Sequence, residues 1–175
     1  MPSVTLIAYA TRGGSTASVA EVIAESLNDA GCLAESLPMH SIESLQNRDA
    51  VILGAPLYFG RFPAEFHQFL VQHQQALSGL HPWLFVLGPT RNDPADFASA
   101  RQQADRQLSR YPWLYPAAVQ IFGGRFDPEH IPFPFSAVRH LPAFIRKEIP
   151  TMDIRDWPEI RRWARGIGAQ SKPAA

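Results

Sequence analysis

Lysine is almost missing from this chain, with two among 175 residues against fourteen arginines, and sixteen basic side chains meet sixteen acidic ones for a formal net charge of zero. A nucleic-acid binder draws affinity from surplus positive charge that releases counterions from phosphates, so that class is set aside. A single cysteine, Cys32, rules out a disulfide framework. No apolar run approaches the roughly 20 residues needed to cross a bilayer, and Arg12 comes too early for a signal peptide. The expected location is the cytoplasm, with no transmembrane segment. The six histidines show no H-E-x-x-H or other metal spacing, so no metal is expected. No Ser-His-Asp constellation can be argued either, and no catalytic residue is assigned.

What is present is 46% apolar and only 18% charged residues. Disorder is excluded, because its signature is low apolar content with high net charge. The length suits one domain, residues 1–175, with a core of its own. Charge is uneven along it: residues 1–110 carry 7 basic and 10 acidic side chains, net −3, while 111–175 carry 9 and 6, net +3. Eight of the sixteen prolines lie between Pro112 and Pro158.

Apolar runs rich in β-branched residues predict strands at Val4–Tyr9, Leu33–Leu37, Ala50–Leu53, Trp83–Leu87 and Ala117–Phe122. Helical periodicity fills the gaps. One helix runs from Ser15, capped by Ser15 or Thr16, to a stop at Gly31, and a second spans Pro63–Leu77 with Phe66, Phe69 and Leu70 inward. A more polar one covers Pro94–Leu108, and a last one covers Asp156–Ile167 with Trp157, Ile160, Trp163, Ala164 and Ile167 as its apolar stripe. Five buried strands alternating with helices call for an α/β fold with a parallel sheet covered on both faces. Residues 123–155 break the alternation. They are far longer than an ordinary connection and form an insertion, with a short helix expected near Ala137–Lys147.

In an open parallel sheet, ligands bind beyond the carboxyl ends of the strands near the switch in strand order. Three loops sit there. The first is Thr11-Arg12-Gly13-Gly14-Ser15-Thr16, whose hydroxyls and glycines precede a helix and can gather N–H and O–H donors around an anion. It lacks the lysine of the phosphate loop that ends in Gly-Lys-Ser/Thr, which makes a nucleoside triphosphatase the wrong reading. It is not G-x-G-x-x-G either, so a phosphate monoester held by neutral donors fits better, although a plain glycine turn with a helix cap has the same composition. The second loop is Gly54-Ala55-Pro56-Leu57-Tyr58-Phe59-Gly60. It places two aromatics between glycines at the ligand edge, where they can stack on a flat ring. The third is Gly88-Pro89-Thr90-Arg91-Asn92, which can offer backbone N–H groups and the Thr90 hydroxyl to the same ring.

The order strand, T-x-x-G-S-T, helix, then G-x-P-x-Y-F-G after the third strand resembles the flavodoxin-like FMN-binding fold over nearly the whole chain. Ala64–Leu70, Phe122–Asp127 and Asp153–Trp157 are similar to the branch that includes the menaquinone-dependent protoporphyrinogen oxidases of bacteria, where an insertion also precedes the last helix. The resemblance implies a three-layer sandwich with sheet order 2-1-3-4-5 and noncovalent FMN. It implies phosphate contacts from the Thr11–Thr16 loop (Thr11, Gly13, Gly14, Ser15 and Thr16, with Arg12 in the same turn). Pro56, Leu57, Tyr58, Phe59 and Gly60 would lie against the isoalloxazine, with Gly88, Pro89 and Thr90 beside it. In two respects the chain departs from that branch: its insertion is shorter and less basic, ending Ile149-Pro150-Thr151-Met152-Asp153, and it has Pro56 in the second loop. The flavin site therefore transfers and the porphyrin substrate does not.

The functional expectation is an FMN oxidoreductase passing reducing equivalents between a small organic substrate, such as a porphyrinogen, and a quinone. The alternative is a flavodoxin-type carrier serving protein partners. Such carriers resemble one another in strong acidity, and this chain is neutral, which favours the enzyme. Peripheral membrane contact through Ile131–Phe144 and homodimerisation are compatible with its aromatics. Arg61, Arg91 and Arg125 follow strand ends, most simply as surface ion pairs. Arg125 is the best placed for a ligand because Gly123-Gly124 permits close backbone approach. His67 and His73 are expected on helix surfaces, and Cys32 as buried filler.

Overall fold

The structure is a computed structural model that describes residues 4–126 and 151–171. Its centre is a parallel sheet of five strands: β1 (Val4–Tyr9), β2 (Leu33–Pro38), β3 (Ala50–Pro56), β4 (Trp83–Leu87) and β5 (Ala118–Phe122). Their order is β2-β1-β3-β4-β5, as the resemblance implied. Residues along β1, β3 and β4 alternate between two cores, so their near-continuous apolar runs follow from burial on both faces. On one face Ile7, Ile52, Phe85, Leu87 and Phe122 pack beneath α1 (Ser15–Asp29) and α5 (Trp157–Ser171). On the other, Leu6, Ala8, Val51, Leu53, Leu84 and Val86 meet α2 (Ala64–Gln72), α3 (Gln74–Leu80) and α4 (Pro94–Leu108).

Helix α1 ends in a Schellman motif: Cys32 N–H donates to the Leu27 carbonyl, Gly31 N–H donates to Asn28, and Gly31 takes φ +82°. That satisfies the last carbonyls, as the Gly31 stop predicts. The start differs from expectation. Gly14, at φ +81°, is the N-cap rather than Ser15 or Thr16, and no side chain among the described residues caps the helix.

The helix expected over Pro63–Leu77 is two helices broken at His73, whose backbone sits at φ −107°, ψ 20°. His73 is also a correction of exposure, since only 7% of it reaches solvent, with its ring 4.4 Å from that of Phe69. Turning this ring inward at the break explains both departures. His67 is likewise not a free surface residue. Its Nδ1 lies 2.6 Å from the Tyr111 hydroxyl and the two rings stack at 5.9 Å.

The described ends of the expected insertion are ordered against the sheet. β6 (Arg125–Phe126) pairs antiparallel with β7 (Met152–Asp153). Gly124 N–H donates to the Pro89 carbonyl at 2.7 Å, and Ile154 N–H to the Gly124 carbonyl at 3.1 Å. The Ala137–Lys147 helix and the Ile131–Phe144 surface lie outside the described residues. Among the described residues no helix is long and apolar enough to cross a membrane.

Candidate functional site

β1 and β3 are neighbours whose connections leave in opposite directions, so their carboxyl edge is the switch point at which open parallel sheets bind ligands. The first two loops meet there directly. The Tyr58 hydroxyl is hydrogen-bonded to the Arg12 backbone. Burial pushes the Tyr58 phenol above its ordinary value, and the Arg12 backbone bond and guanidinium pull the other way. Tyr9, at the end of β1, is raised by burial and by the carboxylates of Glu21 and Glu65.

Within the first loop, Thr11 Oγ1 accepts from the Gly14 N–H at 3.0 Å and so braces the turn. The first backbone bond of α1 runs from Ser18 N–H to the Gly14 carbonyl, which leaves the amides of Ser15, Thr16 and Ala17 ahead of the helical ladder. No acidic residue occupies the first turn. Thr16 is 0% exposed, and its Oγ1 has no hydrogen-bond partner among the described residues. A buried hydroxyl left unpaired is costly and rare in a native interior. Orphaned amides, the positive end of a 15-residue helix and this hydroxyl form a donor set that suits a phosphate monoester.

The second loop is more regular than its composition suggests. Tyr58 and Arg61 exchange two backbone bonds, at 2.9 and 3.0 Å, around a two-residue turn. Phe59 and Gly60 both take positive φ, 49° and 76°, the signature of a type I′ turn. Phe59 is 75% exposed, so the turn presents a large aromatic to solvent on strained backbone. Leu57 N–H is committed to the Leu87 carbonyl at 2.7 Å.

In the third loop the offer narrows. Gly88 N–H donates to the Phe122 carbonyl, and the Pro89 carbonyl accepts from Gly124. No bond of that kind ties down the Thr90 hydroxyl among the described residues. Arg91 is bound through two nitrogens to Asp96, the surface pair expected of it. Gly123 has a structural reason rather than a ligand one: a Cβ there would sit 2.3 Å from the Ile154 carbonyl. Among the described residues no group of three or more His, Cys, Asp or Glu is placed to hold a metal.

One residue escaped the sequence reading. Arg155, from the segment before α5, reaches the first turn of α1, where its Nη1 donates to Ser18 Oγ at 2.8 Å. Its Nε donates to Asp153 Oδ1, and its guanidinium carbon stands 4.6 Å from the centre of the Trp157 ring. Only 8% of the side chain is exposed. The Asp-x-Arg-Asp-Trp segment was visible in sequence, but nothing in its spacing shows which helix it meets.

Residues 6–133 match the flavodoxin domain family. The protoporphyrinogen IX dehydrogenase (quinone) of Escherichia coli strain K12 is 33% identical over 189 residues, spanning 93% of each chain. A protein of the same name from Leishmania major is 26% identical over 172 residues, spanning 94% of this chain and 74% of that one. A flavodoxin from the domain Archaea shares the fold at TM-score 0.58 and 11% identity, covering 97% of this chain and 99% of its own.

Proposed function

This chain belongs to the flavodoxin domain family, and on that premise we propose that it is an FMN-dependent oxidoreductase that takes reducing equivalents from a porphyrinogen-type substrate and delivers them to a quinone. The observation that carries the reading is Thr16 Oγ1, wholly buried and unpaired among the described residues in the first turn of a helix without acid or side-chain cap. An FMN phosphate would give that hydroxyl and the amides of Ser15, Thr16 and Ala17 their missing acceptor. Thr11 holds the turn in shape through its bond to Gly14. FMN supplies two-electron redox chemistry when bound, and the protein supplies position, electrostatics and exclusion of water. Tyr58 and Phe59 offer aromatic faces to the ring, and Thr90 lies on the same edge. The substrate and acceptor classes are supported by the names of the relatives from Escherichia coli and Leishmania major. The absence of net acidity weighs against a carrier steered to basic partners.

The test is reconstitution followed by turnover. Purified protein mixed with FMN and freed of excess should retain the visible absorption of an oxidised flavin; no retained flavin overturns the reading. Anaerobic addition of protoporphyrinogen IX should bleach that absorption and menaquinone should restore it. Reduction only by a protein reductase would make the chain a carrier instead.

A further inference from the structure

Arg155 occupies a place where a cation is electrostatically out of keeping. The N-terminal end of α1 already carries the positive end of the helix dipole, which favours anions and disfavours further positive charge. Yet a guanidinium, nine-tenths buried, hydrogen-bonds Ser18 in that helix's first full turn. Asp153 offsets part of the charge through a two-pronged contact, and Trp157 stacks against the guanidinium. Asp153 is itself more open to solvent, at 39%, than the arginine it holds. The Thr16 hydroxyl in the same turn, 0% exposed and unpaired among the described residues, is a second observation that points to a ligand at this helix start.

We propose that Arg155 is a phosphate-positioning residue: clamped by Asp153 and Trp157, it places a fixed positive charge against the α1 N-terminus, so that the site selects FMN by the charge of its phosphate as well as by neutral donors. The inference rests on the FMN reading above. The same guanidinium orients Ser18, whose hydroxyl contacts the Gly14 and Ser15 carbonyls at 3.3 and 3.1 Å. The phosphate turn is thereby tied to the β6–β7 ribbon. A charge contributed from Arg155 lies outside the Thr11–Thr16 loop.

The test compares FMN with riboflavin, which has the same ring and no phosphate, by fluorescence titration of the flavin-free full-length chain. Arg155→Met should weaken FMN binding about 10- to 100-fold, the usual size of a charge-assisted hydrogen bond, while riboflavin binding changes by less than about threefold. Arg155→Lys should fall between, because it keeps the charge and loses the fork. Ser18→Ala removes the brace but not the cation and should leave the FMN-to-riboflavin preference within about threefold of the parent. Raising ionic strength should weaken FMN binding in the parent more than in Arg155→Met. Equal losses for FMN and riboflavin in Arg155→Met, or none for either, would overturn the proposal and leave Arg155 a structural brace. Should Arg155→Met fail to fold, Arg155→Lys and the salt dependence decide. A parent that binds neither flavin would instead overturn the FMN reading itself.

Discussion

Thr16 holds a buried hydroxyl without a partner among the described residues, and Phe59 holds a strained backbone. The hydroxyl of Thr16 is sealed in without a partner among the described residues, so its removal should reverse the usual sign of a core substitution. Thr16→Val keeps the shape and deletes the desolvated oxygen; the flavin-free protein should gain about 1 kcal/mol in urea unfolding. FMN affinity should fall about tenfold in the same variant, because the phosphate loses one donor. Lower stability of the flavin-free variant would show that the hydroxyl is satisfied after all. Phe59 sits at φ 49°, where a bulky residue is strained and asparagine is tolerated. Phe59→Asn should stabilise the flavin-free chain by about 1 kcal/mol while weakening both FMN and riboflavin, since the contact proposed for Phe59 is to the ring and not the phosphate. Equal affinity in Phe59→Asn would remove Phe59 from the ring site. The candidate positions of Thr16 and Phe59 were legible in T-x-x-G-S-T and Y-F-G. Their energetic states were not, because the burial of one oxygen depends on packing at long range, and the φ of Phe59 on the exchange of backbone bonds between Tyr58 and Arg61.

Elements were legible where burial alone dictates the pattern. All five strands and four of the helices fall within a few residues of the apolar periodicity. The errors lie where partners at long range decide. β3 continues through Gly54 and Pro56, which sequence reads as a strand end, because Ala55 and Pro56 pair with Val86 and Leu87 of β4. Proline is tolerated there because Leu57 donates toward β4, so Pro56 turns its missing N–H toward the side where β1 has already ended. The break at His73 and the β6–β7 ribbon were invisible for the same reason, and so was the need for Gly123. That glycine admits the Ile154 carbonyl so closely that any Cβ would meet backbone, which cannot rotate away as a side chain can. Gly123→Ala should therefore cost about 1–3 kcal/mol in unfolding free energy, the usual range for forced overpacking. Because Ile154 leads directly into Arg155, the same variant should also weaken FMN more than riboflavin. Gly79→Ala, where nothing lies within 4 Å of the new Cβ, serves as the control and should be no less stable than the parent.

At the scale of the molecule, zero net charge conceals a −3 portion through residue 110 and a +3 portion after it. The fold brings the two together, carrying Arg155 from the basic portion onto the first helix of the acidic one. Titration links the same fold to pH through two histidines. His73 is lowered from the ordinary imidazole value by burial, opposed by a hydrogen bond to the Ile42 backbone. His67 is lowered by burial and by the Arg110 charge, opposed by a hydrogen bond that its ring donates to the Gln107 side chain. A histidine whose folded value is depressed binds protons more readily in the unfolded chain. Its stabilising effect is complete above the unfolded value of about 6.5 and is lost as pH falls through that value toward the lower folded one. Each proton contributes a slope of at most about 1.4 kcal/mol per pH unit. Asp153, held below the usual carboxylate range chiefly by its hydrogen bonds to Arg155, acts in a separate window. Its stabilisation stands above the ordinary aspartate value and disappears only as pH falls below it. Urea unfolding of the flavin-free protein from about pH 8 to 5 should show a plateau and then a decline beginning near 6.5. His73→Leu removes a buried titrating group whose Nε2 has no partner among the described residues, and should flatten that decline. An unchanged slope in His73→Leu would transfer the effect to His67, and a flat parent profile would show that neither imidazole is depressed in the folded chain.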